Sequence, residues 1–231
     1  MNIHPIAYFH CPLTSKFGIP RQSGLVAGLA GRIVFEPPFR QLDAVRGMDD
    51  FDYLWLLWEF SAVSPKSVRS GGSTPSLTVR PPRLGGNVRM GVFATRSPFR
   101  PNPLGLSCVR LDRIEEHPSL GPVLHVKGAD LMDGTPIYDI KPYVTYADSH
   151  PDARSGFVDH SEWRQLDVVI DDARAAAFTA EELCALRGIL ALDPRPRYHD
   201  DGRTYGMPFA GRDVRFSVSD GVLTVTDVKP V

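Results

Sequence analysis

The chain has 231 residues, 42% of them hydrophobic, with 26 lysines and arginines against 27 aspartates and glutamates and a formal net charge of −1. This composition is that of a folded globular protein, and it excludes a uniformly basic chain and a disordered, low-complexity one. The charge is unevenly distributed, because residues 60–111 carry eight basic side chains and no acidic one, which makes this stretch +8 and the remainder −9. Overall neutrality therefore does not exclude a polyanionic partner.

The first two-thirds of the chain are predicted to be rich in β-structure. Short apolar runs bounded by Gly, Pro, Asp or Asn predict strands at 3–9, 31–35, 53–60, 88–94, 107–114, 123–128 and 137–140. Residues 41–48 predict one or two helical turns. Many short strands without a fixed repeat are typical of a compact β-barrel or sandwich.

The last third predicts a small α+β unit. After a strand at 166–170, Thr179 and Glu182 have the spacing of a capping box that starts a helix. Asp220 and Gly221 separate two apolar strands, which is typical of a type I′ hairpin. We therefore predict a β domain at 1–147, a linker at 148–165 and an α+β domain at 166–231.

Several classes of site have no signature in the sequence. Cys11, Cys108 and Cys184 are far apart, and the seven histidines lack metal-ligand spacing, so we expect reduced thiols and no metal. Neither G-x-G-x-x-G nor G-x-x-x-x-G-K-[ST] occurs, which excludes a Rossmann fingerprint and a phosphate loop. No apolar run approaches the ~20 residues of a membrane span, and no secretory signal is present, so we expect a cytoplasmic protein with no membrane partner.

The block 80–103 carries the strongest chemical signal. It holds five arginines and no carboxylate: Arg80, Arg83, Arg89, Arg96 and Arg100. Prolines and glycines alternate with these arginines and favour a stiff loop that a ligand can approach closely. Guanidinium groups held this way bind phosphate oxygens or a ligand carboxylate. The alternative is a solvated basic face with prolines at its turns.

Two further segments carry candidate functional groups. In the segment 130–143, four charged side chains are predicted to converge at strand ends: Asp130, Asp133, Asp139 and Lys141. The turn at 133–136 allows Asp133 to accept backbone amides, and a purely structural turn is an equally good interpretation. The loop 17–25 is bounded by Gly and Pro and carries Arg21 and Gln22.

Together these segments resemble the tRNA methyltransferase O family, also called the TsaA-like or VirR-like family. The resemblance covers about residues 3–146 and is carried by residues 20–22, 43–47, 80–103 and 133–143. Residues 193–198 and the final hairpin are also similar to the bacterial members. The resemblance implies a mainly β fold, in which a non-Rossmann β-barrel binds S-adenosylmethionine, a C-terminal extension follows, and two chains form a homodimer.

The resemblance also implies the residues that contact the cofactor. These are Pro20, Arg21, Gln22, Ser61, Ala62, Arg96, Cys108, Ala129, Asp130, Leu131 and Met132. The chain departs from the family where a His-Gln pair is usual, at Ser61-Ala62, and where a leucine is usual, at Cys108.

The activity implied by the resemblance is methylation of N6 of threonylcarbamoyladenosine beside the tRNA anticodon, with threonine tRNA as the expected substrate. This nitrogen is a poor nucleophile because its lone pair is delocalised into the ring, so an acceptor for its N–H would help. We expect Asp133 or Asp139 to serve, with Lys141 or Tyr143 orienting. The anticodon stem-loop is expected to contact Arg80, Arg83, Arg89, Arg100, Arg195 and Arg197.

Two other functions stay open at this point. One is a methyltransferase of the same fold that acts on another RNA or on a small molecule. The other is a non-catalytic module that binds the cofactor or RNA and regulates another process.

Overall fold

The computed structural model describes residues 2–62, 77–85, 87–160, 164–195 and 203–231. In chain order, strands β1 to β8 cover Ala7–His10, Ala30–Phe35, Tyr53–Glu59, Thr78–Val79, Met90–Gly91, Leu104–His117, Gly121–Lys127 and Thr135–Pro142. Six of these strands close an antiparallel barrel in the order β1–β2–β7–β6–β3–β8. The short strands β4 and β5 form a separate ribbon in the connection between β3 and β6.

Alternating side chains fill the barrel. Leu54, Leu56 and Trp58 of β3 are buried, and the residues between them are partly exposed. Successive strand residues point to opposite faces, so one side of each strand lines the interior. Phe9 of β1 and Ile33 of β2 belong to the same apolar cluster. The mainly β barrel predicted from the sequence is confirmed.

Helical segments are short in the N-terminal part. Single 3-10 turns cover Pro37–Phe39, Leu42–Val45, Met48–Asp50, Pro82–Leu84, Val92–Ala94 and Gly156–Val158. The α-helices are α1 (Thr145–Asp148), α2 (Asp172–Ala175) and α3 (Ala180–Ala191). The helical turns predicted at 41–48 are therefore present as 3-10 structure.

The C-terminal part is a four-stranded sheet covered by α3. Its strands β9 to β12 cover Asp167–Val169, Tyr205–Phe209, Arg212–Ser219 and Val222–Pro230, and they lie in the order β10–β11–β12–β9. Leu186 and Phe216 belong to its core, which also takes in Leu13, Val26 and Leu29 from the connection between β1 and β2. The small α+β unit is confirmed, and its core extends into the N-terminal part of the chain.

Three connections leave the barrel at the same end. The barrel strands are antiparallel to both neighbours, so β1, β3 and β7 run in one direction. The segments that follow these strands are 11–29, 60–103 and 128–134. This end, referred to below as the loop end, therefore brings together the three parts of the sequence with the strongest chemical signals.

The structure corrects one predicted strand and adds one that was not predicted. The strand predicted at 88–94 is wrong beyond Met90–Gly91, because the chain turns into 3-10 structure and leaves Phe93 74% exposed without a sheet partner. Strand β10 was not predicted, because Gly206 and Pro208 interrupt its apolar pattern. Proline is tolerated there since β10 lies at the edge of its sheet.

Replacing Thr179 with alanine is expected to lower the free energy of unfolding by about 1 kcal/mol. The predicted capping box is present: the Glu182 amide donates to Thr179 Oγ1 at 3.2 Å, and the Thr179 amide donates to Glu182 Oε2 at 2.9 Å. Alanine leaves the Glu182 amide without this acceptor. Urea titration checks the prediction, with Thr179→Ser as the control that keeps the hydroxyl. An unchanged midpoint for Thr179→Ala would contradict it.

Candidate functional site

The first contact at the loop end joins Gln22 to Arg96. The Arg96 guanidinium donates to Gln22 Oε1 at 2.5 Å, and the Gln22 side-chain amide donates to the Arg21 carbonyl at 2.5 Å. Gln22 lies in the connection after β1, whereas Arg96 lies in the connection after β3. The hydrogen bond therefore ties together two of the segments that the sequence assigned to the cofactor.

The second contact anchors Asp130 to the barrel wall. The Trp58 indole N–H donates to Ser107 Oγ at 2.9 Å, and the Ser107 hydroxyl donates to Asp130 Oδ1 at 2.5 Å. Trp58 and Ser107 are buried, and Asp130 follows β7 at the loop end. A buried chain of hydrogen bonds of this kind fixes the position of the carboxylate.

The electrostatics of Asp130 link it to Arg96. Burial raises the pKa of the Asp130 carboxyl above its ordinary value, while the Ser107 hydrogen bond, the charge of Arg96 and the Ser23 amide oppose that rise. Arg96 itself is exposed. A cation that hydrogen-bonds Gln22 therefore acts electrostatically on the largely buried Asp130 carboxyl, and we call these three residues the Gln22–Arg96–Asp130 cluster.

The other residues assigned to the cofactor lie at the same end with one exception. Ser61 and Ala62 follow β3 and are exposed, and Lys16 Nζ donates to the Ala62 carbonyl at 3.4 Å. Pro20 is buried, and it lies two residues before Gln22 in the sequence. In the stretch 129–132, Ala129 and Leu131 point into the barrel core, and Met132 is partly buried. Asp130 is therefore the charged side chain that this stretch contributes.

Cys108 is the exception. It follows Ser107 on β6, so its side chain lies on the opposite face of the strand, the outer face. Burial and the charge of Asp148 raise the pKa of the Cys108 thiol. Asp148 also accepts the Trp55 indole N–H at 3.1 Å on the same outer side. The structure does not bring Cys108 together with the Gln22–Arg96–Asp130 cluster.

The predicted convergence of the acidic residues is partly wrong. Asp133 lies at the loop end, where its Oδ1 accepts the Cys11 amide at 3.1 Å and lies 3.2 Å from His10 Nδ1. Asp139 lies within β8 instead, and its Oδ2 pairs with Lys141 Nζ at 2.8 Å. Asp139 and Lys141 lie away from the loop end, because the eight-residue strand β8 runs from that end towards the other end of the barrel.

Tyr143 lies farther still from the loop end. It follows the last residue of β8, and its amide donates to the Tyr53 carbonyl at 2.9 Å, at the start of β3. Its ring packs against those of Tyr53 and Trp55. The four predicted catalytic residues therefore occupy different places, and only Asp133 is close to the cofactor stretch.

The predicted RNA-binding arginines differ in their surroundings. Arg80 and Arg89 are exposed, Arg89 donates to Thr78 Oγ1 at 3.3 Å, and Arg100 donates to the Thr95 carbonyl at 3.3 Å. Arg195 instead grips Asp193 through two hydrogen bonds of 2.8 and 2.9 Å, and its side chain is 12% exposed. The side chain of Arg83 and the whole of Arg197 lie outside the described residues.

Sequence reasoning missed a polar pocket on the outer wall of the barrel beside Asp133. The pocket has a volume of about 440 Å³ and is lined by His10, Cys11, Ala30, Gly31, Arg32, His125 and Asp133. These residues come from strands far apart in the sequence, so no motif could have revealed them. Burial raises the pKa of the Cys11 thiol to about 12, which keeps this thiol protonated and unreactive.

The described part of the chain shows neither a membrane-spanning helix nor a metal-binding cluster. No helix there has the length and apolar character needed to cross a membrane. No group of three or more His, Cys, Asp and Glu side chains in the described ranges is arranged to hold a metal ion.

Both parts of the chain match known proteins. The family model of the tRNA-methyltransferase O N-terminal domain matches residues 8–149, and that of the TrmO C-terminal domain matches residues 165–231. The chain is 40% identical to the tRNA (adenine(37)-N6)-methyltransferase of Escherichia coli K12, over 97% of this chain and 96% of that protein. It is also 40% identical to RcsF of Pseudomonas aeruginosa, which carries the name of an S-adenosylmethionine-dependent methyltransferase. That match covers 93% of this chain and 91% of that protein.

Solved structures extend the likeness to the fold. A crystal structure of TrmO from Pseudomonas aeruginosa superposes with a TM-score of 0.76 at 32% identity, covering 100% of this chain and 97% of that one. Both family models, the sequence identity and the barrel with its α+β extension lead to one conclusion: the chain belongs to the tRNA-methyltransferase O family.

Proposed function

We propose that this chain methylates N6 of threonylcarbamoyladenosine at position 37 of threonine tRNA, with S-adenosylmethionine as the methyl donor. Membership of the tRNA-methyltransferase O family makes it a methyltransferase that depends on S-adenosylmethionine and modifies tRNA. The observation that carries the proposal is the Gln22–Arg96–Asp130 cluster, which the three connections at the loop end assemble. The threonylcarbamoyl group and the choice of threonine tRNA are the parts that rest on resemblance.

The cluster fits the charges of the cofactor. S-adenosylmethionine carries a carboxylate, an ammonium group, a ribose diol and a sulfonium, and when bound it supplies an activated methyl group. The exposed Arg96 suits the carboxylate, since a guanidinium grips a carboxylate through two hydrogen bonds. Asp130, fixed by Ser107, has acceptor capacity left for the ammonium group or the ribose hydroxyls. Gln22 holds the guanidinium in place for this purpose.

Asp133 is the residue we propose to orient the acceptor. It lies three residues after Asp130, its side chain is 38% exposed, and its Oδ1 is already held by Cys11 and His10. Its Oδ2 makes no hydrogen bond to the residues that the structure describes, so this oxygen is available to accept the N6–H of the adenosine. The proton leaves N6 along this hydrogen bond during or after transfer. Asp139, paired with Lys141 on β8, is the alternative that the sequence offered.

Exchanging Asp133 for asparagine is expected to slow methyl transfer about 10- to 100-fold, while the same change at Asp139 leaves the rate near that of the wild type. Asparagine keeps an oxygen for the Cys11 amide, but it removes the negative charge that favours release of the proton, and general-base effects typically reach ~10²- to 10⁴-fold. Single-turnover transfer under saturating cofactor and tRNA measures the effect. Equal rates for wild type and Asp133→Asn would remove Asp133 from the mechanism, and a loss confined to Asp139→Asn would assign the role to Asp139.

We assign the arginines of the basic block 80–103 other than Arg96 to the anticodon stem-loop. Arg80, Arg89 and Arg100 form no ion pair with a carboxylate among the described residues, which leaves their charges available for phosphate oxygens. Arg83 and Arg197 belong to the same proposal by sequence alone. Arg195 is a weaker candidate, because Asp193 already neutralises it. A cytoplasmic homodimer, with a linker at 148–165 between the two parts of each chain, completes the proposal.

Comparing threonine tRNA with and without its threonylcarbamoyl group tests which nucleoside the protein methylates. Threonine tRNA carrying the threonylcarbamoyl group and the same tRNA lacking it are incubated with the protein and labelled S-adenosylmethionine. We expect labelled methyl only in the modified tRNA, at N6. Equal labelling of both tRNAs would contradict the requirement for the threonylcarbamoyl group, and labelling of a different RNA alone would contradict the choice of substrate.

A further inference from the structure

The pocket beside Asp133 is bordered by a row of basic side chains that crosses four strands. His10 of β1 pairs with Arg32 of β2, Arg32 pairs with His125 of β7, and His125 pairs with Arg113 of β6. Residues that pair directly across strands project from the same face, and neighbouring strands lie about 4.8 Å apart. The row therefore lies on the outer wall of the barrel, and its first member is the last residue of β1, at the loop end.

Arg32 lies between the two histidines of this row, and its side chain is accessible to solvent. That side chain forms neither an ion pair nor a hydrogen bond with any residue in the described ranges. Its near neighbours in the pocket are small, because Ala30 and Gly31 line the same wall. A guanidinium that is not neutralised, beside small residues and above a concave surface, can be reached by an anionic group.

The two histidines on either side are held by carboxylates. His10 Nδ1 lies 3.2 Å from Asp133 Oδ1, and His125 Nε2 lies 2.7 Å from Glu115 Oε2 and 3.3 Å from an Arg113 nitrogen. Each ring has a second nitrogen that makes no hydrogen bond within the described part of the chain. A carboxylate on one nitrogen fixes the orientation of the ring and leaves its other nitrogen open to a ligand.

Acidic side chains limit how much charge this surface carries. Asp112 contacts Arg113 at 3.4 Å and Lys127 at 2.9 Å, so the β6 end of the row is largely neutralised. Asp133 and Glu115 likewise lie against the two histidines, so the attraction for anions is concentrated at Arg32. This arrangement suits one phosphate group better than a long polyanionic track.

We propose that the pocket lined by His10, Arg32 and His125 binds one backbone phosphate of the tRNA substrate, on the barrel wall outside the basic block 80–103. The proposal rests on the function proposed above, because tRNA is the substrate assumed. Asp133 lines the same pocket, so a phosphate held there lies next to the residue proposed to orient the acceptor adenosine. The contact would then fix the position of the anticodon loop against the loop end.

Binding of a fluorescently labelled threonine tRNA transcript by the full chain at several salt concentrations tests the proposal. Arg32→Gln is expected to weaken binding about tenfold, since a hydrogen bond to a charged group is lost. The slope of log affinity against log salt should fall by about 0.7 to 0.9, the contribution of one phosphate contact. The matched control is Arg215→Gln, an exposed strand arginine of β11 in the other sheet, which should keep the wild-type affinity and slope.

Calorimetry of S-adenosylmethionine binding separates this proposal from the proposed function. Arg32→Gln should bind the cofactor as the wild type does, and His125→Gln should show a smaller loss of tRNA affinity than Arg32→Gln. Unchanged tRNA affinity and salt slope in both variants would overturn the phosphate site while leaving the function intact. An equal loss in Arg32→Gln and Arg215→Gln would overturn it as well, because general charge would then explain the effect. Wild-type protein that binds the cofactor and no tRNA would instead refute the proposed function.

Discussion

Arg96→Gln is expected to weaken S-adenosylmethionine binding about 10- to 100-fold, with little change in the free energy of unfolding. Arg96 is exposed and contributes no core packing, but it hydrogen-bonds Gln22 and its charge acts on Asp130. A charge-assisted hydrogen bond to a ligand carboxylate contributes about 1.5–3 kcal/mol, which corresponds to this range of affinity. Glutamine keeps a polar side chain of moderate length and removes the positive charge.

Arg100→Gln is the matched control for this prediction. Arg100 belongs to the same basic block, and its guanidinium donates to the Thr95 carbonyl, outside the cluster. Isothermal titration calorimetry of both variants should show a loss of cofactor affinity in Arg96→Gln and none in Arg100→Gln. Equal affinities in the two variants would mean that the cofactor does not use the Gln22–Arg96–Asp130 cluster.

Trp58→Ala is expected to cost about 3–5 kcal/mol of unfolding free energy, the usual range for a large aromatic removed from a core. The Trp58 side chain is 5% exposed, and its ring centroid lies 4.3 Å from that of Phe60. Close packing also explains Gly105, because a Cβ built there would lie 2.3 Å from the indole. Removal of the indole leaves a cavity inside the barrel, and it leaves Ser107 without one of its partners.

Replacing Trp58 with phenylalanine distinguishes the effect of its packing from the effect of its hydrogen bond. Trp58→Phe keeps most of the ring and removes the N–H that orients Ser107 towards Asp130, so we expect a small loss of stability and a severalfold loss of cofactor affinity. Trp55→Phe removes an equivalent N–H on the outer face of the same strand, where the partner is Asp148. Thermal unfolding measures the stability of Trp58→Phe and Trp55→Phe. Calorimetry should show a loss of S-adenosylmethionine affinity in Trp58→Phe alone. The same affinity in both would disprove a link between the indole and the cofactor site.

The fold class could be predicted because its signals are local. The apolar run at 53–60 between polar residues indicates a strand, and the Thr179–Glu182 spacing specifies a helix start. The strand predicted at 88–94 failed because an apolar run does not reveal whether a partner strand exists. Pairing depends on residues elsewhere in the chain, and the pattern within one segment contains no information about them.

The site could be predicted only as a set of segments. Sequence resemblance selected 20–22, 96 and 129–132, and the barrel topology explains why these segments meet at the loop end. It did not distinguish Ser107, which faces Asp130, from Cys108, which faces away, because a shift of one residue changes the face of a strand. The row of His10, Arg32 and His125 follows from strand register alone, which no motif encodes.

The distribution of charge along the sequence likewise predicts the site only in part. The +8 stretch at 60–111 predicts an anion-binding surface, and the structure divides its arginines between different surroundings. Arg96 hydrogen-bonds Gln22, which belongs to another part of the sequence, whereas the exposed Arg89 bonds Thr78 within its own segment. The −9 remainder is not uniformly repulsive to RNA either, because it contains Arg32 and both pocket histidines.

Methyl transfer to total tRNA tests the central claim most directly. The protein is incubated with S-adenosylmethionine labelled in the methyl group and with tRNA from cells, and the RNA is digested to nucleosides and separated. We predict that the label appears in one nucleoside, the N6-methylated form of threonylcarbamoyladenosine, and that Arg96→Gln reduces it at limiting cofactor. Cofactor and tRNA binding with no label in any nucleoside, or label in a base other than adenine, would contradict the account.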